Sequence, residues 1–143
     1  MRITYHSSIT RYAGEYPSLS AFLLSPAPSE SDSESFSFST EGRLVGKEEA
    51  FTLSYREQDG TAVTLVLRED GALLLRRGTT EASFSVKAVS SFLHKAELLE
   101  LSITAYTVEI SCKRRGESRL VTLVYYSHFS NIVQKNTMRW KLS

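Results

Sequence analysis

Residues 59–78 read DGTAVTLVLREDGALLLRRG, and the reading of this stretch decides the fold. Two Asp-Gly pairs, Asp59-Gly60 and Asp70-Gly71, frame a run of valines and leucines, and Gly78 follows the double arginine Arg76-Arg77. Asp-Gly supplies the positive φ angles that a tight two-residue hairpin needs. The stretch therefore reads as two strands with the turns around them.

The same grammar extends in both directions. Phe51, Leu53 and Tyr55 alternate with Thr52, Ser54 and Arg56. Ala82, Phe84, Val86 and Ala88 alternate with Glu81, Ser83, Ser85 and Lys87. Near the end, Asn136, Met138, Trp140 and Leu142 alternate with Thr137, Arg139 and Lys141. A period of two means that one face packs while the other meets water. The runs VTLVL (63–67), ALLL (72–75) and LVTLVYY (120–126) are apolar on both faces and read as more deeply covered strands. All three prolines, Pro17, Pro26 and Pro28, lie early in the chain, so nothing after them interrupts a hydrogen-bonded ladder. Arg114-Arg115-Gly116-Glu117 supplies a further turn.

Three segments read differently. From Leu99 to Cys112 the apolar parity slips by one residue near Ala105, which predicts a β-bulge or a bend. VSSFLHKAEL, between Val89 and Leu98, reads as a short helix capped by Ser90 or Ser91. Residues 13–35, which include the serine- and acid-rich SPAPSESDSES, read as a flexible loop insert. About eight to ten short strands in sequential order predict an all-β fold. It is an antiparallel meander closed into a β-barrel over residues 1–143, one domain with at most one short helix.

Totals bound the function. A chain of 143 residues with 41% hydrophobic and 23% charged side chains is an ordinary soluble domain. Its net charge of +1 gives no general attraction to nucleic acid or to a membrane surface. The single cysteine, Cys112, forms no internal disulfide, and the N-terminus lacks the apolar core of a signal peptide; the expectation is a cytoplasmic protein.

The order and spacing of several short features resemble the YwiB-like family, a bacterial domain of unknown function (DUF1934) with a calycin, or lipocalin-like, barrel. These are Gly42, the LSY of Leu53–Tyr55, the Arg-x-Gly of Arg76–Gly78, the LEL of Leu99–Leu101, the L-x-Y of Leu123–Tyr125, and Asn136 ahead of the last alternating strand. Phe92-Leu93-His94 and Ala105 depart from the family's pattern. The resemblance implies a closed antiparallel barrel, and the family itself supplies no function.

Few chemistries fit the residues. His6, His94 and His128 lack metal-ligand spacing, no cofactor-binding motif is present, and the paired acids at Glu48-Glu49 and Glu69-Asp70 abut turns. Cys112 is in phase with Tyr106, Val108 and Ile110, as a small core residue is. KRRGESR (113–119) reads as a solvated hairpin tip, because stacking aromatics do not accompany its charge. What is left is the barrel interior. Eight strands already leave room for packed side chains or for one small ligand. Tyr55, Arg76, Tyr125 and Asn136, the polar strand residues within the family-like features, are the candidate ligand-binding residues. Parity leaves open which of Arg76 and Arg77 points inward. The function expected is binding, without catalysis, of a small amphiphilic or anionic molecule. The alternatives are a protein-interaction scaffold or homodimer, motivated by the apolar 120–126 run, and a hydrolase or isomerase using His94 or His128.

Overall fold

Beyond Pro28 the chain runs in strands nearly to its end. The structure is a computed structural model that describes residues 1–96 and 98–143. The strands are β1 (Arg2–Tyr12), β2 (Glu30–Gly46), β3 (Phe51–Arg56), β4 (Ala62–Leu67), β5 (Leu73–Arg77) and β6 (Thr80–Phe84). They continue with β7 (Val89–Ala96), β8 (Leu99–Arg115), β9 (Ser118–Phe129) and β10 (Ile132–Leu142), and one short helix, α1 (Leu19–Leu23), follows β1. They form one antiparallel sheet in the order β6-β5-β4-β3-β2-β1-β10-β9-β8-β7. Each strand lies beside its neighbour in sequence, and β1 joins β10 across the whole length of the chain. The sheet curls until its two edges, β6 and β7, lie side by side, with the rings of Phe84 and Phe92 6.2 Å apart inside the seam. The expected all-β, antiparallel barrel is therefore what the chain forms, nearly closed and with ten strands.

Alternation sorts the side chains as the pattern requires. Ile3, Leu53, Leu65, Leu73, Val121, Leu123, Trp140 and Leu142 point inward and are essentially inaccessible. Cross-strand register stacks them: Leu65 lies between Leu53 and Leu75, and Tyr5 between Phe38 and Trp140. Close approach requires glycine at Gly42. Gly42 lies opposite Tyr55 in the β2–β3 ladder, where a Cβ would run into the Ile3 side chain and stand 2.8 Å from the Ser54 carbonyl oxygen.

Turn chemistry holds, with one correction. Gly60 and Gly71 do adopt positive φ, +90° and +85°, but neither Asp59 nor Asp70 does. The loops are longer than two residues. Glu57 N–H donates to the Thr61 carbonyl, and each aspartate accepts from the backbone amide two residues on, at 2.9 Å for Thr61 and 3.0 Å for Ala72. A two-residue turn with both central residues left-handed occurs instead at Ser130-Asn131, with φ of 51° and 65°. The parity slip in β8 is a bulge, placed at the register shift between Thr107 and Glu109.

Two segments differ from expectation. The run expected to be helical is strand β7, paired with β8 from Val89 to Ala96; the part of that expectation falling on Glu97 lies outside the described residues. The run is short and compatible with either period, and the free β8 edge decides. Residues 13–35, expected to be a loop insert, hold α1 and the start of β2. Ser18 caps α1, its hydroxyl accepting from Ala21 N–H at 3.1 Å. The acidic start of β2 pairs with the end of β1, where Arg11 binds Asp32 and Glu34, each at 2.9 Å.

α1 covers part of the outer wall. Leu19 and Phe22 pack with Val133, Tyr12, Tyr106 and Tyr126, and the His128 ring nitrogen lies 2.7 Å from the Tyr16 carbonyl oxygen. The outward residues of β9, Thr122 and Val124, are also buried within the one chain. Within the run 120–126, Val121 to Tyr125 are thus buried in the single chain, and Leu120 and Tyr126 are half-buried. Among the described residues no helix is long and apolar enough to cross a membrane.

Candidate functional site

The two ends of the barrel differ. At one end, Phe51, Leu67 and Leu73 fill the space beneath the β2–β3 and β4–β5 turns. Trp140 sits above them, its indole N–H donating to the Tyr55 hydroxyl at 2.9 Å. Both partners are buried, and they form the floor of what lies above. Burial lifts the Tyr55 hydroxyl well above its ordinary pKa, because a phenolate there would be poorly solvated.

Toward the other end the inward residues become larger in reach and more polar, and two hollows open. One, of about 430 Å³, lies where β6 and β7 splay apart; Leu75, Ala82, Phe84, Phe92 and Tyr125 make its apolar walls, with Thr61, Thr80 and His94 at its rim. The other, of about 400 Å³, lies against β1, β2 and β10, between Tyr5, Ile9, Phe36 and Asn136. Arg77 and Met138 line both hollows and form the partition between them.

Arg77 is held in place. Its Nε and Nη2 donate to the two carboxylate oxygens of Glu57 at 2.5 and 2.8 Å, a bidentate pair. Glu57 is only 9% exposed, while Arg77 reaches the mouth. The hydrogen bond to Glu57 raises the guanidinium pKa further above its ordinary value. Tyr5 and Tyr125, which face the same space, are also raised, in both cases chiefly by burial.

The residues expected at the site divide accordingly. Tyr125 lines the first hollow and Asn136 the second. Tyr55 lies below both, bound to Trp140. Arg76 projects outward and pairs with Glu81 at 2.8 Å on the exposed wall. The inward arginine is Arg77, because Leu73 and Leu75 share its parity and lie opposite Phe84 and Ala82 of β6. Sequence reasoning also missed Glu57, Met138 and Tyr5. Glu57 sits in the β3–β4 turn two residues past Tyr55, and the β3–β4–β5 register, which sets Tyr55, Val63 and Arg77 in line, brings it to Arg77, twenty positions on.

The remaining candidates lie elsewhere. Cys112 is half-buried at the closed end, and burial pushes its thiol up, the direction opposite to that of a reactive thiolate. In the KRRGESR hairpin, Arg114 pairs with Glu48, and Arg119 turns inward over the Phe51 ring, 6.0 Å from its centroid. Among the described residues no group of three or more His, Cys, Asp or Glu side chains is arranged to hold a metal ion.

A family model described as "Domain of unknown function (DUF1934)" matches residues 27–137. Among solved structures the chain is similar to the crystal structure of the ywiB protein from Bacillus subtilis. The TM-score is 0.66 and the identity 18%, covering 99% of this chain and 92% of that one. At that identity the likeness is one of fold. No curated protein matches the chain.

Proposed function

The chain belongs to the DUF1934 family, and from that premise and the barrel's geometry we propose that it binds a small amphiphilic molecule through the open end, without catalysis. The observation that carries this reading is the pair of hollows of about 430 and 400 Å³ parted by Arg77. Each is the size of a small-ligand site, with apolar walls and a few polar groups. An apolar body enters between Phe84, Phe92 and Tyr125, and an oxygen-bearing head meets Arg77. Glu57 holds the guanidinium in position and also neutralises much of its charge. Affinity therefore comes mainly from apolar burial, with the head group setting orientation.

Anilinonaphthalene sulfonate, an aromatic anion that fluoresces in apolar surroundings, tests the reading. We expect saturable binding of one probe per chain, weakened about tenfold or more in Ala82→Trp, which fills the first hollow with a side chain. Absence of binding, or binding unchanged in both Ala82→Trp and Arg77→Met, would overturn it.

A further inference from the structure

A net charge of +1 hides an uneven distribution. Toward the closed end, the outer wall that runs from β8 across β9, β10 and β1 to β2 presents Lys113, Arg115, Arg139, Lys141, Arg2 and Arg43. Strand alternation turns them outward: Arg139 and Lys141 flank the buried Trp140, Arg2 adjoins Ile3, and Lys113 adjoins Cys112, which packs against the core. All six are exposed. Among the described residues none of them forms an ion pair with a carboxylate.

Register joins the cations into one surface. Lys141 lies beside Leu120 of β9 and Thr4 of β1, and Leu120 lies in turn beside Lys113, so the two lysines stand two strands apart, about 10 Å. Arg139 stands in the next row, beside His6, and His6 beside Ser37. The hydroxyls of Thr4 and Ser39, 3.3 Å apart, lie next to Lys141. Three carboxylates share this wall: Glu41 opposite Arg2, Glu109 bonded to the Ser111 hydroxyl, and Glu117 in the β8–β9 turn. Most of the others lie at the start of β2 or in the turns between β2 and β5.

Cations interleaved with hydroxyl donors suit phosphate oxygens. No exposed Phe, Tyr or Trp stands among the cations, so the bases of a single strand have nothing to stack on. The apolar residues between them, Leu120 and Val124, are half-buried and buried, so a bilayer finds no apolar anchor there. We infer that this wall binds the phosphodiester backbone of a double-stranded nucleic acid, reading charge and not sequence. The surface is separate from the hollows and does not rest on the small-molecule reading.

Fluorescence anisotropy of a labelled DNA duplex titrated with the intact protein, at about 50 and about 200 mM NaCl, tests the assignment. We expect micromolar binding at the lower salt and a loss of at least about thirtyfold at the higher, as release of counterions from three or more phosphates requires. The triple variant Lys113→Gln, Arg139→Gln, Lys141→Gln should lose at least about tenfold at the lower salt and show a shallower salt dependence. The control Arg56→Gln, Arg68→Gln, Arg76→Gln removes the same charge from the region of β3 to β5 and should change affinity less than about threefold. Circular dichroism checks that both variants fold; if the first does not, its three single variants, each expected to lose about threefold, decide. Vesicles of phosphatidylcholine with about 30% phosphatidylserine serve as the competing polyanion. Absence of duplex binding at the lower salt, equal losses in the two triple variants, unchanged affinity in all three single variants, or binding to the vesicles and not to the duplex refutes the assignment.

Discussion

Replacing Tyr55 by phenylalanine removes one oxygen and leaves a buried donor alone. The Tyr55 hydroxyl accepts the indole N–H of Trp140 at 2.9 Å, and Trp140 is 1% exposed, so bulk water does not reach the indole in the folded protein. Losing the acceptor costs the desolvation of an unmet N–H, about 2 kcal/mol within a usual range of roughly 1–3. With an unfolding entropy of ~2.1 cal/mol/K per residue, a chain of 143 residues loses about 7 °C in Tm for that amount. Urea denaturation is the assay, and Trp140, as the sole tryptophan, reports it by fluorescence. The midpoint falls and the slope is retained, because the surface exposed on unfolding is unchanged. A double-mutant cycle with Trp140→Phe, followed by far-UV circular dichroism because that substitution removes the fluorescent reporter, isolates the pair, and its coupling energy should be about 1–2 kcal/mol. A Tyr55→Phe cost below about 0.5 kcal/mol, or a coupling energy of zero, would show that the indole finds water and that the floor of the hollows is wet, refuting the dry core described above.

Other substitutions follow from the same geometry. Gly42→Ala drives a methyl into Ile3 and the Ser54 carbonyl, so it should cost about 2 kcal/mol or more in urea denaturation, whereas Gly116→Ala, at a turn with open space around it, should cost less. Arg76→Ala breaks only an exposed pair with Glu81 and should shift stability by less than about 0.5 kcal/mol. Arg77→Ala strands the Glu57 carboxylate and should cost about 1–2 kcal/mol after allowance for Arg77's own exposure, most of it recovered in the Arg77→Ala, Glu57→Gln double variant. Alkaline pH supplies a further test. Tyr5, Tyr55 and Tyr125 have folded-state pKa values raised by burial above the ordinary 10.0, so above that pH the unfolded chain releases protons that the folded chain retains. The contribution of these tyrosines should be flat below about pH 10 and then fall as pH rises toward the folded values, by up to about 1.4 kcal/mol per pH unit for each tyrosine. Tyrosinate absorbance should lag behind that of the denatured chain; a coincident titration would contradict the buried placement.

Much of the fold was legible because it rests on local rules. The Asp-Gly turns, the parity of Phe51–Tyr55 and Asn136–Leu142, and the slip in β8 each follow from backbone sterics or from a period of two. What failed were places where local signals conflict or are weak. LLLRR is apolar on both faces, so only pairing with Ala82 and Phe84 chooses Arg77 over Arg76 as the inward arginine. VSSFLHKA suits either period until an edge claims it. Glu30–Ser35 is poor in β-formers, yet Arg11 and the β1 ladder impose a strand. In α1 the signals were present and unread: Pro17 and Ser18 mark a helix start, and Pro26 an end. Of the residues around the hollows, Tyr125 and Asn136 were singled out through the family-like features of the sequence, whereas no local signal marks Glu57 or Met138 as neighbours of Arg77.

The pairing of the first strand with the last has a consequence for synthesis in the cell. The first six strands can associate as they leave the ribosome, but the far margin of β1 finds its mate only when the final residues have been made. Until then that margin is a bare template of amides and carbonyls on a growing chain, open to any passing strand. It is the point where a chaperone has most to protect, and where a truncated product would first stick to its neighbours.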